Sequence, residues 1–355
     1  AGEEKIARYV RGFLASAGCE ARLQEVAPGR SNAVGILRGE GGGRSLIFNG
    51  HLDTVGVAEM AGPFTARVEA GRLYGRGAQD MKGGLAAALV AVEALAAGPR
   101  LKGDVIVQAV ADEEFQSVGT RALIAEGAKA DAAIVMEPTG LEIATAHKGF
   151  AWAEVETQGR AAHGSRPEEG VDAIVLMGHV LVEIERLQKK LESGTAHELV
   201  GRGSVHASII SGGQELSSYP AHCKLSLERR LVPGEDGATF ASELEGIMSA
   251  LQKQIPQFQG RQTRGYWARP LETPRSATIV ELLAQSVGRI TGHEPVLGMQ
   301  TFWTDAALLS EAGIPSVLFG PGGAGLHSAV EFVNLDEVRI CAEALAACAQ
   351  AFCGD

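Results

Sequence analysis

Apolar residues follow two different rhythms along this chain, and the change of rhythm divides it. From Gly2 to Ala17 the residues Ile6, Val10, Phe13 and Leu14 recur at helical spacing, and Gly18 stands where a helix ends. Four short, unbroken apolar runs, at 45–49, 105–110, 132–136 and 316–319, read as strands buried on both faces. Ala/Leu-rich helical patterns at 81–97, 120–127, 276–290, 304–312 and 335–352 separate and follow them. Strands alternating with helices in this way predict an α/β fold, a mostly parallel sheet sandwiched by helices.

Between these segments the pattern changes. Phe150 to Thr157 and Cys223 to Leu231 alternate apolar and polar residues, as strands do when one face meets water. The order is strand 150–158, helix 171–192, strands 204–211 and 222–231, helix 238–254 and a weaker strand 261–267. This βαββαβ order is the ferredoxin-like signature. The chain is therefore expected to form one domain from residues 1–148 and 268–355, interrupted by an inserted ferredoxin-like α+β domain at 149–267.

Composition narrows the class. At 355 residues the chain can bury two cores, and 45% hydrophobic with 21% charged residues excludes both a disordered and a membrane-embedded protein. A net charge of −11 with no basic patch argues against nucleic acid or an anionic membrane as partner. No apolar run reaches the roughly 18 residues of a membrane span, and the opening AGEEKIARYVRGFL is charged and helical rather than signal-like. Five cysteines (Cys19, Cys223, Cys341, Cys348, Cys353), odd in number and without a CxxC pair, indicate neither a disulfide framework nor a thiolate metal site. A reducing, cytoplasmic setting fits them. The 46 glycines, about twice the usual share, point to tight turns and close backbone approaches.

The chemistry lies at the ends of the buried runs. His51 and Asp53 follow the run ending at Asn49, Glu113 and Glu114 follow Val110, Glu137 follows Met136, and His327 lies in the Gly-rich loop after Phe319. In open α/β sheets that edge is where ligands bind. Asp80, in GRGAQDMKGG, belongs with them on composition. Two imidazoles and several carboxylates without sulfur suit zinc, with cobalt or manganese as substitutes. His51, Asp80, Glu114, Glu137 and His327 are too many ligands for one catalytic ion and suit two ions sharing a carboxylate. Asp53 is placed to accept the second ring N–H of His51. Glu113 is then free to act as general base. A single such residue is more often an ordinary surface group, but clustered carboxylates repel one another unless a cation neutralises them.

The motifs NGHLDTV (49–55), GRGAQDMKGG (75–84), ADEEFQSVGT (111–120), MEP (136–138), AHKG (146–149), AAHGSRPEEGVDAI (161–174) and GPGGAGLHSAVEFV (320–333) resemble, in order and over nearly the whole chain, the co-catalytic dizinc metallopeptidase family of acetylornithine deacetylase, succinyl-diaminopimelate desuccinylase, aminoacylase and glutamate carboxypeptidase. The resemblance implies two Zn(II) ions per chain bridged by Asp80, with His51 and Glu137 on one and Glu114 and His327 on the other. It also implies a cis Asp80–Met81 peptide and Glu113 as the base. The inserted domain becomes a lid that mediates homodimerisation, from which His163 of the partner subunit's lid reaches the oxygen where negative charge develops. Without the resemblance His163 reads as a loop or core histidine. Arg230 is assigned to a substrate carboxylate, with Arg229 the alternative if the strand register is off by one.

Glu at position 137 resembles the deacylase and carboxypeptidase branch, so the substrate is expected to be a small N-acyl amino acid or short peptide. Where the family commonly has Asn, GGQELSSYP places Ser217, whose shorter reach puts that substrate contact in question. Trp303 is read as a pocket wall, Gly322 and Gly323 as substrate-loop glycines, and Thr304 and Asp305 as helix N-caps. GPGGAG lacks the GK[ST] ending of a phosphate loop and leads to a His, so that reading is rejected. His147, His179, His197, His206, His222 and His293 are taken as structural or exposed. The expected activity is removal of an acyl group from an N-acyl amino acid, most like acetylornithine deacetylase. A desuccinylase or glutamate-type carboxypeptidase is the alternative, and a catalytically silent binding protein of the same fold is the rival of another class.

Overall fold

A computed structural model describes residues 2–354, which divide into two compact units. One unit comprises, of the described residues, 2–146, 272–300 and 304–354, and the other residues 147–271 with 301–303.

The first unit is built on a nine-stranded sheet whose centre is parallel. Strand Leu46–His51 lies between Val105–Val110 and Ala132–Val135, and Ser316–Leu318 follows beside Ala132–Val135. All six residues of Leu46–His51 are buried, as a strand covered on both faces by helices requires. The cover comes from helices Glu4–Ser16, Gly83–Ala96, Thr278–Thr291 and Leu335–Cys353, whose Val10, Leu14, Leu85, Val92, Leu283, Leu345 and Phe352 join one core with Phe48, Val107 and Ile134. The flanks are antiparallel: Glu20–Ala27 and Arg30–Leu37 form a hairpin on the Val105–Val110 side, and Ile143–His147 pairs antiparallel with Ser316–Leu318. A separate small sheet joins Gly323–Ala324, Phe332–Asn334, Arg72–Tyr74 and Arg67–Glu69.

The second unit runs strand Gly149–Gln158, helix Ala173–Ser193, strands Ser204–Gly212 and His222–Leu231, helix Gly237–Gln254 and strand Gly260–Ala268. Its sheet order places Gly149–Gln158 between His222–Leu231 and Gly260–Ala268, with Ser204–Gly212 outermost, which is the ferredoxin-like arrangement. Strict alternation of buried and partly or fully exposed residues along His222–Leu231 puts Cys223, Leu225, Leu227 and Leu231 in the core under the helices. Asp172 and Asp236 cap those helices through their side chains. The same alternation sends Arg229 inward, where it is fully buried and paired with Glu235 at 2.8 Å and Glu243 at 3.1 Å. Arg230 therefore faces out, and the Arg229 alternative falls away.

Candidate metal centre

The ends of the parallel strands bring six of the expected residues together. His51 closes its strand, Glu113 and Glu114 lie on the loop after Val110, and Glu137 directly follows Met136 beyond Ala132–Val135. Asp80 sits at extended dihedrals (φ −114°, ψ 96°) in an irregular turn before helix Gly83–Ala96, and the Asp80–Met81 peptide is cis. That helix approaches the strand end so closely that a Cβ on Gly84 would lie 2.1 Å from the Met136 carbonyl oxygen, which explains the glycine. His327 is the exposed member, held at a left-handed φ of 57°.

Asp80 is the hub. Its Oδ1 lies 2.9 Å from His51 Nε2, and its Oδ2 lies 3.2 Å from His327 Nε2, which is also 3.3 Å from Glu114 Oε2. Ligand atoms of His51, Asp80 and Glu114 fall within 4.8 Å of one another, and so do those of His51, Glu113 and Glu137. Burial and mutual repulsion hold Glu113 and Glu137 well above the usual carboxylate range, and Glu114 is raised for the same reasons. Burial disfavours charge on His51, yet the hydrogen bond to Asp80 and the surrounding carboxylates raise its pKa well above the ordinary value. Glu114 Oε1 is buried without a hydrogen-bond partner. A packed group of carboxylates that cannot all ionise, an orphaned carboxylate oxygen and two imidazoles fit divalent cations of the zinc, cobalt or manganese type.

Asp53 differs from its expected use. Its carboxylate is 3.6 Å from His51 Nδ1, and the ring nitrogen is instead 3.1 Å from the Asp53 backbone oxygen. The Asp53 carboxylate accepts the backbone N–H groups of Glu113 at 3.2 Å and Glu114 at 3.1 Å. The chain turn after His51 leaves the main-chain carbonyl nearer the ring, and the carboxylate reaches across to the neighbouring loop.

Other candidates are dispersed or already engaged. The Gly322 N–H donates to Glu337 at 2.7 Å, and Gly323 pairs with Val333, where a Cβ would lie 2.0 Å from the Phe332 oxygen. Internal packing accounts for the lack of a side chain at both glycines. Thr304 does cap, its hydroxyl accepting the Ala306 N–H at 3.3 Å, but Asp305 does not. The Asp305 side chain is buried and accepts the Thr120 hydroxyl at 2.6 Å, and burial pushes its pKa up to about 6. Lys82, whose Nζ donates to the Asp53 oxygen at 3.2 Å, was likewise not anticipated, and burial lowers its pKa.

In the second unit His163 is exposed, with Nδ1 2.7 Å from Ser165 Oγ and accepting the Ser165 N–H at 3.2 Å. That acceptor role leaves the proton of the neutral ring on Nε2. Exposed Ser217 accepts the Gly164 N–H through its backbone oxygen at 2.7 Å. Arg230 is half-exposed, held by Glu228 at 2.8 Å over the Phe150 ring. Trp303 donates its indole N–H to the Arg269 oxygen at 2.9 Å and packs edge-on against Phe150 and His147.

The comparisons with known proteins agree with this centre. Residues 47–351 match the model of Peptidase family M20/M25/M40. Acetylornithine deacetylase of Myxococcus xanthus is 32% identical over 98% of this chain and 91% of its own length. An N-formyl-4-amino-5-aminomethyl-2-methylpyrimidine deformylase of Halalkalibacterium halodurans is 30% identical over 93% of this chain and 85% of its own. Among solved structures, an aminopeptidase from Bacillus cereus aligns with a TM-score of 0.79 at 20% identity, covering 98% of this chain and 92% of that one. A dinuclear metal-binding M20 peptidase from Bacillus subtilis aligns at 0.75 and 15% identity, covering 99% and 92%. The chain belongs to the peptidase family M20/M25/M40. It is a hydrolase of the metallopeptidase and deacylase kind, acting on amide bonds.

Proposed function

We propose that this protein is a dizinc amidohydrolase that removes the acyl group from a small N-acyl amino acid, most like an acetylornithine deacetylase. The observation that carries the reading is Asp80, whose two oxygens turn to two different histidines, the arrangement a carboxylate shared between two ions requires. His51 and Glu137 would complete one site, Glu114 and His327 the other. When bound, the ions polarise the amide carbonyl and lower the pKa of the attacking water. Glu113 would take the proton of the attacking water on its carboxylate and pass it to the departing nitrogen. Asp53 holds the loop of Glu113 and Glu114 in place. His163 of the partner subunit's lid would donate from Nε2 to the developing oxyanion, and Arg230 would take the substrate carboxylate with Trp303 as a neighbouring wall.

We further propose a homodimer formed through the lid. Strand Ser204–Gly212 is an open sheet edge with Ile209 and Ile210 exposed, beside a helix exposing Val175 and Val182. Five unpaired, buried cysteines suit a reducing cytoplasm. Among the described residues no helix is long and apolar enough to cross a membrane.

Amine release by zinc-loaded protein tests the substrate across N-acetylornithine, other N-acetyl amino acids, N-succinyl-diaminopimelate, acyl-glutamates and the N-formyl aminopyrimidine of the deformylase relative. Preferred turnover of an N-acetyl amino acid is the expected result. Preference for the succinyl, glutamyl or formyl compound overturns the deacetylase reading while keeping the chemistry. Silence across the panel favours a binding protein of the same fold.

A further inference from the structure

Arg76 and Glu331 form an ion pair in which both side chains are only 1% exposed, at 2.6 Å. A buried pair of this kind contributes little net stability compared with apolar residues of the same volume, so its presence calls for another reason. The hydrogen bonds supply one. Glu331 Oε1 accepts the backbone N–H groups of Gln79 at 2.9 Å and Asp80 at 3.2 Å, and Oε2 accepts that of Gly77 at 3.1 Å. Arg76 uses its remaining nitrogens on two other segments, donating from Nε to the Gly56 oxygen at 3.2 Å and from Nη2 to the Ser328 oxygen at 2.9 Å.

The three segments so joined are those that carry His51, Asp80 and His327. Gly56 lies five residues after His51, Glu331 grips the turn of Asp80 at its backbone, and Ser328 adjoins His327. The His327 loop is closed at its base by the pairing of Gly323–Ala324 with Phe332–Asn334 and by Ser328 hydrogen bonds to Gly325 and Val330, and Arg76 ties this closed loop, whose His327 stands at positive φ, to the segment after His51.

We infer that Arg76 and Glu331 are positioning residues, a buried clamp that fixes the three ligand-bearing loops relative to one another and thereby sets the affinity of the site for its metal ions. The inference rests on the dizinc reading above. Apart from their own ion pair, the hydrogen bonds of the two side chains described above all go to backbone groups, so the clamp acts through the backbone.

The test compares the parent with Arg76→Lys, which keeps the charge opposite Glu331 but cannot reach Gly56 and Ser328 together, and with the charge-free Arg76→Met/Glu331→Gln. Zinc affinity and stoichiometry are read by competition with a chromogenic chelator, and folding of the metal-free proteins by circular dichroism and melting. The expected result is native circular dichroism in both variants, zinc affinity at least tenfold weaker, and hydrolysis that recovers towards the parent's kcat as zinc is raised. Zinc affinity within twofold of the parent's, with only a lower melting temperature, overturns the clamp and leaves a structural ion pair. Failure of both variants to fold overturns it too, because the pair would then hold up the domain as a whole. A parent that binds no zinc overturns the underlying metal reading instead, which separates the two failures.

Discussion

Glu113 and Glu114 are adjacent and both lie by His51, but Glu114 is grouped with Asp80 and His327 and Glu113 with Glu137. The proposed reading makes Glu114 the ligand and Glu113 the base. Replacing Glu113 with Gln keeps size and removes the proton acceptor, so kcat is expected to fall by about 10²- to 10⁴-fold while zinc content stays at the parent's level. Retained turnover would remove Glu113 from the base role. Asp53→Ala frees both backbone N–H groups of the glutamate loop, and kcat/KM is expected to drop roughly 10- to 100-fold, as for other supports of metal ligands; unchanged kcat/KM would show that the loop holds itself. Residue identity was largely legible, because HxD, EE and the isolated Asp80 carry their chemistry in their type. What each side chain touches was not. The Asp53 contact spans 60 residues of sequence, and Asp305 looks like a helix cap until burial turns it to Thr120.

At the scale of elements, the buried runs and the alternating strands were readable because periodicity reports burial directly. The hairpin Glu20–Ala27 and Arg30–Leu37 escaped that reading. Asn32 interrupts its apolar pattern, although it is fully buried, donating to the Gly119 oxygen and accepting the Ala111 N–H, each at 2.9 Å. Next to it Arg30 ties Glu3, at the start of the first helix, to Asp112, at the start of the glutamate loop. Burial raises the Glu3 pKa, but the Arg30 hydrogen bond and charge outweigh it and leave the pKa below its ordinary 4.5. A depressed acid contributes stability above its unfolded pKa and loses it as pH falls through the folded value. Glu3→Gln is therefore expected to cost about 1.5–3 kcal/mol at pH 7, the range for a hydrogen bond to a charged group. The difference should vanish in acid, below the folded pKa. Denaturant unfolding at several pH values checks this, and a gap constant with pH would exclude the ionic origin.

At the scale of the whole molecule, the proposed role of His163, on an exposed loop of the inserted unit, is open to a complementation test. If His163 acts from the partner subunit's lid, two defects placed on different chains should complement. Glu113→Gln and His163→Ala are each expected to be nearly inactive as homodimers. After mixing and subunit exchange, half of the dimers carry one of each chain, and in these the site with an intact Glu113 meets the intact His163 of the other subunit. One site in two is then restored in half of the dimers, so activity should recover to about a quarter of the parent's. Recovery should fail when Ile209→Arg opposes pairing at the Ser204–Gly212 edge, because a charge there blocks the sheet edge and its apolar neighbours. No recovery from a mixture shown by sedimentation to contain mixed dimers would mean that His163 serves its own chain's site or none. Recovery from protein that remains monomeric would remove the lid-edge dimer from the mechanism.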